Sequence, residues 1–204
     1  MSCGSDIPIT LGKEMQALES YSLSPSDEVW VIGSFKGATA KVIFDLYQTE
    51  HILCFDPQPH AIEEMKKLDI PIDIRPYGLG DREGQFEMME VGNDACSFFG
   101  KSGKWGHFDG DSRFTNGPFL MKDICNEWRG EDISLIIMNC EGSESILIPR
   151  MIECGMMKMI NHLLIQYHVH VVPERGWENI LLQQMETHRP GYNHWPVWVS
   201  WKRY

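Results

Sequence analysis

At 204 residues, with 43% hydrophobic and 23% charged residues, the chain suits one domain with a real core and is too short for two sizeable ones. Its 18 basic against 29 acidic residues leave a net charge of −11. That balance lacks the basic footprint drawn to phosphate backbones or anionic lipid, so neither nucleic acid nor a membrane is expected as a partner.

The opening residues, MSCGSDIPITLGKEM, lack the basic start and apolar run of a signal peptide. No stretch approaches the roughly 20 apolar residues of a bilayer span. Val29 to Gly33 (VWVIG) reads as a first strand, and Ala38 to Tyr47 as a helix with Ala38, Val42, Ile43 and Leu46 on one face. His51 to Phe55 is the second strand, ended by Asp56-Pro57. A helix from about Pro59 carries Ile62, Met65 and Leu68. Ile70 to Tyr77 is a third strand, placed near a sheet edge by Pro71 and Pro76. Gly84 to Val91 resembles a hairpin arm. Residues 92–118 hold Gly92, Gly100, Gly103, Gly106, Gly110 and Gly117 and read as a lid or acceptor-facing loop.

Ile133 to Cys140 (ISLIIMNC) is apolar on both faces, as a central parallel strand requires. EGSESILIPRMIECG follows as a helix that Pro149 should break or kink and Gly155 should stop. Asn161 to Val172 is a fifth strand, on which Gln166, His168 and His170 would share a face. Glu174 to His188 reads as a helix with Trp177, Ile180, Leu181 and Met185 inward, ended by Pro190-Gly191. WPVWVSWKRY alternates like a closing strand, its tryptophans either buried on two faces or exposed as an aromatic surface. The six cysteines form no CxxC or metal-type spacing, and several lie in apolar runs where a reduced thiol is a small hydrophobe. A single cytoplasmic domain over 1–204 is expected, of doubly wound α/β class with right-handed crossovers.

In such a sheet, ligands bind at the carboxyl ends of the strands, near the switch point. The first strand exits into Gly33-Ser34-Phe35-Lys36-Gly37. The second exits at Asp56, 56 − 33 = 23 residues after Gly33. A carboxylate at that distance suits the two donor hydroxyls of a ribose, and the glycines let backbone approach a ligand. A plainer reading has the glycines permit a tight turn and Asp56 cap a helix. Phe35 stands where a dinucleotide fingerprint needs its middle glycine, which disfavours NAD and FAD. S-Adenosylmethionine has the ribose but no phosphate and fits better. Two decoys are set aside: residues 95–102 spell a relaxed phosphate loop without the following helix, and 78–84 nearly spell the dinucleotide fingerprint but precede a strand-like pattern.

Glu141 and Glu144, three apart after the fourth strand, sit on adjoining turns of one side or are simply helix-start carboxylates. His168 is a weak candidate base, and the Met151, Met156, Met157 and Met159 cluster reads as core filling.

From Val29 to His168 the chain resembles the FkbM-like family of S-adenosylmethionine-dependent methyltransferases. VIGSFKG (Val31 to Gly37) stands for the family's D-x-G-A-N-x-G, and Phe55-Asp56-Pro57 for its F-E-P. Gly78 to Gly84 stands for A-x-x-D-x-x-G. The most specific match is Ile137 to Glu144 for K-I-D-x-E-G-x-E, and Gln166-Tyr167-His168 stands for E-x-H. The resemblance implies a Rossmann-like, mostly parallel seven-stranded sheet with the last strand antiparallel. It implies O-methylation of a hydroxyl on a sugar or small metabolite. It places S-adenosylmethionine at Gly33, Ser34, Gly37, Asp56, Gly78, Leu79 and Asn139, the last two glycine-turn residues forming a Gly78-Leu79 turn. It places Glu141 and His168 at the acceptor as catalytic residues; no metal is expected. Val31, Asn139 and Gln166 are neutral where the family is acidic, in positions that should line one pocket. A non-catalytic ligand-binding or interaction module is the alternative.

Overall fold

The computed structural model describes residues 16–90, 96–97, 113–114, 117–169, 176–195 and 198–204. Its strands are β1 (Glu28–Ile32), β2 (His51–Phe55), β3 (Ile72–Arg75), β4 (Gly78–Gly80), β5 (Gly84–Phe86), β6 (Met89–Glu90), β7 (Cys96–Ser97), β8 (Arg113–Phe114), β9 (Phe119–Asp123), β10 (Ile133–Met138), β11 (Ile160–Ile165), β12 (His188–His194) and β13 (Trp198–Arg203). Its helices are α1 (Ala38–Tyr47), α2 (Pro59–Met65), α3 (Ile124–Glu127), α4 (Glu144–Glu153) and α5 (Trp177–Gln184).

Seven strands form the main sheet in the order β12-β13-β11-β10-β1-β2-β3. From β3 to β11 every pairing is parallel, and β13 runs antiparallel to both its neighbours. The alternation of side chains along each strand divides the apolar residues between two cores. Val29 and Val31 of β1 enter one, Trp30 and Ile32 the other; Leu135 and Ile137 of β10 part from Ile136 and Met138 in the same way. Each of these buried aliphatic side chains contributes about 1.5–3 kcal/mol.

From β1 the chain winds through α1, β2 and α2 to β3. From β10 it winds the opposite way through α4 to β11. Right-handed crossovers taken in opposite directions must place their helices on opposite faces. Ala40, Ile43 and Met65 accordingly join the core of Val29 and Val31, while Leu147, Ile148, Met151, Trp177 and Ile180 join the other. The winding reverses between β1 and β10, which fixes the switch point there.

Several elements differ from the sequence reading. Pro149 lies inside α4 and does not end it. The full burial of Leu147, Ile148 and Met151 offsets the roughly 3 kcal/mol that an interior proline costs. Pro190 and Gly191 do not end a helix but lie within β12, an edge strand with a register shift between Pro190 and Asn193. An edge tolerates proline because no ladder bond is asked of its outer side. Met185 is 42% exposed rather than inward. The fifth strand stops at Ile165, short of the Val172 expected. Gly155, at φ 82°, does stop α4. Trp198 and Trp201 are buried and Trp195 is 45% exposed, so only one tryptophan of the tail is available as a surface. The buried Met151, Met156 and Met157 fill the core.

Outside the main sheet, β9 is flanked by β4 and β5, and β6 pairs with β7 and β8. Most of the 92–118 loop read as a lid lies outside the described residues. Cys125 and Cys154 form a disulfide between α3 and the end of α4, 29 residues apart. These two are therefore not reduced hydrophobes, and cysteine usage no longer argues for a reducing compartment. Among the described residues, no helix is long and apolar enough to cross a membrane.

Candidate functional site

The loops after β1, β2, β10 and the end of β11 meet at one edge of the sheet. After β1, Gly33 takes φ 77° and donates its N–H to Phe55 O at 3.0 Å. A Cβ on Gly33 would stand 2.0 Å from the Asn139 carbonyl oxygen, so this glycine lets the exits of β1 and β10 touch. A side chain at Gly37, which precedes α1 at φ 82°, would strike Leu68 Cδ1 at 2.5 Å. Both glycines thus serve close packing within the protein. Ser34 is buried and donates to Met65 Sδ at 3.3 Å.

Asp56 is 3% exposed. Its Oδ2 accepts the Phe35 N–H at 2.8 Å and its Oδ1 the Gln58 N–H at 2.9 Å. The carboxylate therefore clips the glycine loop to the start of α2. Phe35 sits at φ 46°, a left-handed conformation that the clip helps to hold. Burial pushes the Asp56 carboxyl up, against the hydrogen bonds from Gln58 and Phe35. Asp56 makes no ion pair among the described residues. A carboxylate that accepts one hydrogen bond at each oxygen retains the capacity to accept more.

Gly78 and Leu79 form no turn. They lie in β4 beside Met121 and Lys122, with Leu79 in the core, because pairing with β9 extends the backbone. Asn139 is exposed, and its N–H donates to Ile32 O at 3.0 Å. The three neutral positions do not line one pocket. Val31 is core, Asn139 is surface, and the Gln166 N–H is taken by Met138 O at 2.9 Å.

After β10 the chain turns through Glu141 at φ 51° and Gly142 at φ 100° into α4. The fully buried Glu144 holds this turn from within. Its Oε1 accepts the Cys140 N–H at 2.9 Å and its Oε2 the Gly142 N–H at 3.0 Å. Oε1 also meets His168 Nδ1 at 3.0 Å, and His168 Nε2 lies 3.5 Å from Glu141 Oε2. His168 is 3% exposed. Burial works against its charge, but Glu141 and Glu144 outweigh burial and raise its pKa from 6.5 to about 10. The ring is therefore an imidazolium at neutral pH and holds no free lone pair for a substrate proton. His168 is not a base here; it is the cation between two carboxylates. His170 lies outside the described residues. Among the described residues, no group of His, Cys, Asp or Glu could hold a metal ion.

The three-residue spacing placed Glu144 beside Glu141 or at a helix start, but its bond to His168 had no sequence signal. The bond from the Gln58 N–H agrees with the reading of Asp56 as a helix cap, whereas the bond from the Phe35 N–H, 21 residues away, had no sequence signal.

No protein-family model matches the sequence, and no curated protein matches it. Solved structures do. An FkbM methyltransferase from Methylobacillus flagellatus KT is similar with a TM-score of 0.58 at 14% identity, over 90% of this chain and 45% of that one. The chain thus spans under half the length of that protein. An rRNA methylase from Streptococcus thermophilus is similar with a TM-score of 0.52 at 12% identity, over 97% of this chain and 98% of that one. A plantazolicin methyltransferase, BpumL, in complex with a triazolic desmethylPZN analog and SAH, is similar with a TM-score of 0.50 at 10% identity, over 98% of this chain and 87% of that one. At such identities the likeness is one of fold. The fold is that of the class I S-adenosylmethionine-dependent methyltransferases, and it resembles the FkbM structure as the sequence does.

The exclusion of nucleic acid as a partner does not stand, because an rRNA methylase has this fold over nearly its whole length. The physical error lies in the sum. A net charge describes the whole chain, whereas binding to phosphates depends on local potential.

Proposed function

We propose that this chain is an S-adenosylmethionine-dependent methyltransferase that acts on a hydroxyl of a carbohydrate or other small metabolite. One observation carries the reading. At the switch point of a methyltransferase fold, the glycine loop and buried Asp56 face the same sheet edge as Glu141, whose strained turn is anchored by Glu144 and His168. When bound, the cofactor supplies an electrophilic methyl on a sulfonium. Asp56 would accept the ribose hydroxyls, with Gly33, Ser34 and Gly37 contributing backbone nearby and Asn139 bordering the site.

Glu141 is the residue suited to take the acceptor's proton. It is partly exposed, with 28% of its side chain accessible, whereas His168 is sealed. His168 would hold that carboxylate in place, and Glu144 would hold His168. A positioned base typically contributes 10²–10⁴-fold, and alignment of the reacting groups adds to it.

Calorimetric titration with S-adenosylmethionine and its demethylated product tests the cofactor. Binding of either should weaken about tenfold or more in Asp56→Ala, and unchanged affinity would move the adenosine elsewhere. Transfer of a labelled methyl to a panel of hydroxyl acceptors, lost in Glu141→Gln, tests the chemistry. Cofactor binding without transfer to any acceptor would favour the non-catalytic module.

A further inference from the structure

The turn from β12 to β13 returns to the working edge of the sheet. Ile165, the last residue of β11, pairs with Val199, and His194, the last of β12, pairs with Trp198. Trp195 on this turn therefore stands at the carboxyl-terminal edge, beside the exit of β11. Its ring lies 5.1 Å from that of Tyr167, centroid to centroid, at an interplanar angle of 41°. Tyr167 immediately precedes His168, whose Nε2 is 3.5 Å from Glu141 Oε2. The indole and the carboxylate suited to take a proton thus share one corner of the site.

The indole is held in advance of any ligand. Tyr167 behind it is 2% exposed, donates its hydroxyl to Gln184 Oε1 at 2.9 Å and meets Trp177 edge-on at 5.7 Å. Asn193 Oδ1 accepts the Trp195 N–H at 3.0 Å and fixes the turn itself. Trp195 nevertheless keeps 45% of its surface exposed, while Trp198 and Trp201 of the same tail are buried. An aromatic plate fixed on a rigid backing loses little freedom when a ligand covers it, and tryptophan is a side chain on which binding energy concentrates.

Charge narrows the ligand. The described segments that build this corner, 139–145, 165–169, 176–179 and 193–195, contain no lysine or arginine, and their carboxylates are Glu141, Glu144 and Glu178. The His168 cation is enclosed by Glu141 and Glu144. A neutral ring suits such a corner better than a phosphorylated one. The apolar face of a sugar ring presents C–H bonds, polarised by neighbouring oxygens, to the negative face of an indole, while its hydroxyls point outward from the ring.

We propose that Trp195 is the platform on which the acceptor lies, and that the acceptor is a neutral pyranoside. The inference rests on the methyl-transfer reading of Glu141 and narrows it from carbohydrates and small metabolites at large to an uncharged sugar ring stacked on one indole.

The test is NMR of the full chain titrated with methyl β-galactoside, methyl β-glucoside and methyl α-mannoside and, separately, with cytidine as a nucleobase probe. A saturable shift of the Trp195 indole N–H, identified by its loss in Trp195→Phe, is expected with at least one pyranoside. Trp195→Ala should weaken that binding about tenfold and Trp195→Phe, which keeps a smaller plate, about threefold, with unchanged affinity for S-adenosylmethionine. In methyl-transfer assays the loss in Trp195→Ala should fall on KM rather than on kcat. Pyranoside binding without transfer would keep the platform and remove the methyl-transfer reading. Transfer to a pyranoside whose KM does not move in Trp195→Ala would do the reverse. The absence of a saturable shift with any pyranoside, binding that survives Trp195→Ala, tighter binding of cytidine, or a dimer that Trp195→Ala dissolves in sedimentation overturns the proposal.

Discussion

On the β1–β2 half of the carboxyl-terminal edge, one buried carboxylate holds its loop through backbone N–H groups. On the β10–β11 half, two carboxylates hold theirs through a histidine cation. Asp56 is compensated by the dipoles of Phe35 and Gln58, Glu144 by two such dipoles and by His168 as well. A buried charge requires partners, and either kind suffices to keep the anion. The difference shows in what each half does next. Asp56, imperfectly compensated, has reason to accept further donors. The second half is closed upon itself, and its outward group is Glu141.

The largest way to break this contrast is Glu144→Ala. It strands a buried cation and two backbone donors, and should cost about 3–5 kcal/mol in urea denaturation. A loss no greater than that of Asp56→Ala would show the two halves to be alike. Gly33→Ala should cost about 2–4 kcal/mol, from a left-handed φ and a Cβ driven into the Asn139 carbonyl. Because it pries the halves apart, it should also lower cofactor affinity.

Titration separates the halves by pH. His168 has its folded pKa raised from 6.5 to about 10, so its contribution is complete below 6.5 and is lost as pH rises through 10. Stability should fall by about 2 kcal/mol between pH 7 and 9, and His168→Gln should flatten that slope. Persistence of the slope in the variant would assign it to another group. Asp56 is also raised, by burial, so its contribution has the same sign in a more acidic window that opens at the ordinary value of 3.8. The smallest effect should come from Asp56→Asn, at about 1–2 kcal/mol, since the amide keeps one acceptor for the clip. Calorimetry should show it weakening the cofactor more than it weakens the fold.

Much of this was legible in the residues. VWVIG, HILCF and ISLIIM are short, apolar and β-rich, and each is a strand of the central parallel sheet. The 38–47 and 59–65 helices followed from spacing. Asp56 and Glu141 lie where strand ends must put them. Less legible were features whose cause is remote. Pro149 continues a helix because three side chains around it are buried, and β12 exists because β13 gives it a ladder. Cys125 found a partner 29 residues away that no spacing rule indicates.

Alternating apolar residues, glycine turns and helical periodicity therefore determined the doubly wound sheet and its working edge, because those signals are local and repeat along the chain. Only the tertiary structure decided the state of His168. Its charge depends on Glu141 and on Glu144, the latter 24 residues earlier and 3.0 Å away, around a ring buried from solvent. Distance and solvent are properties of the folded molecule, not of the string of residues.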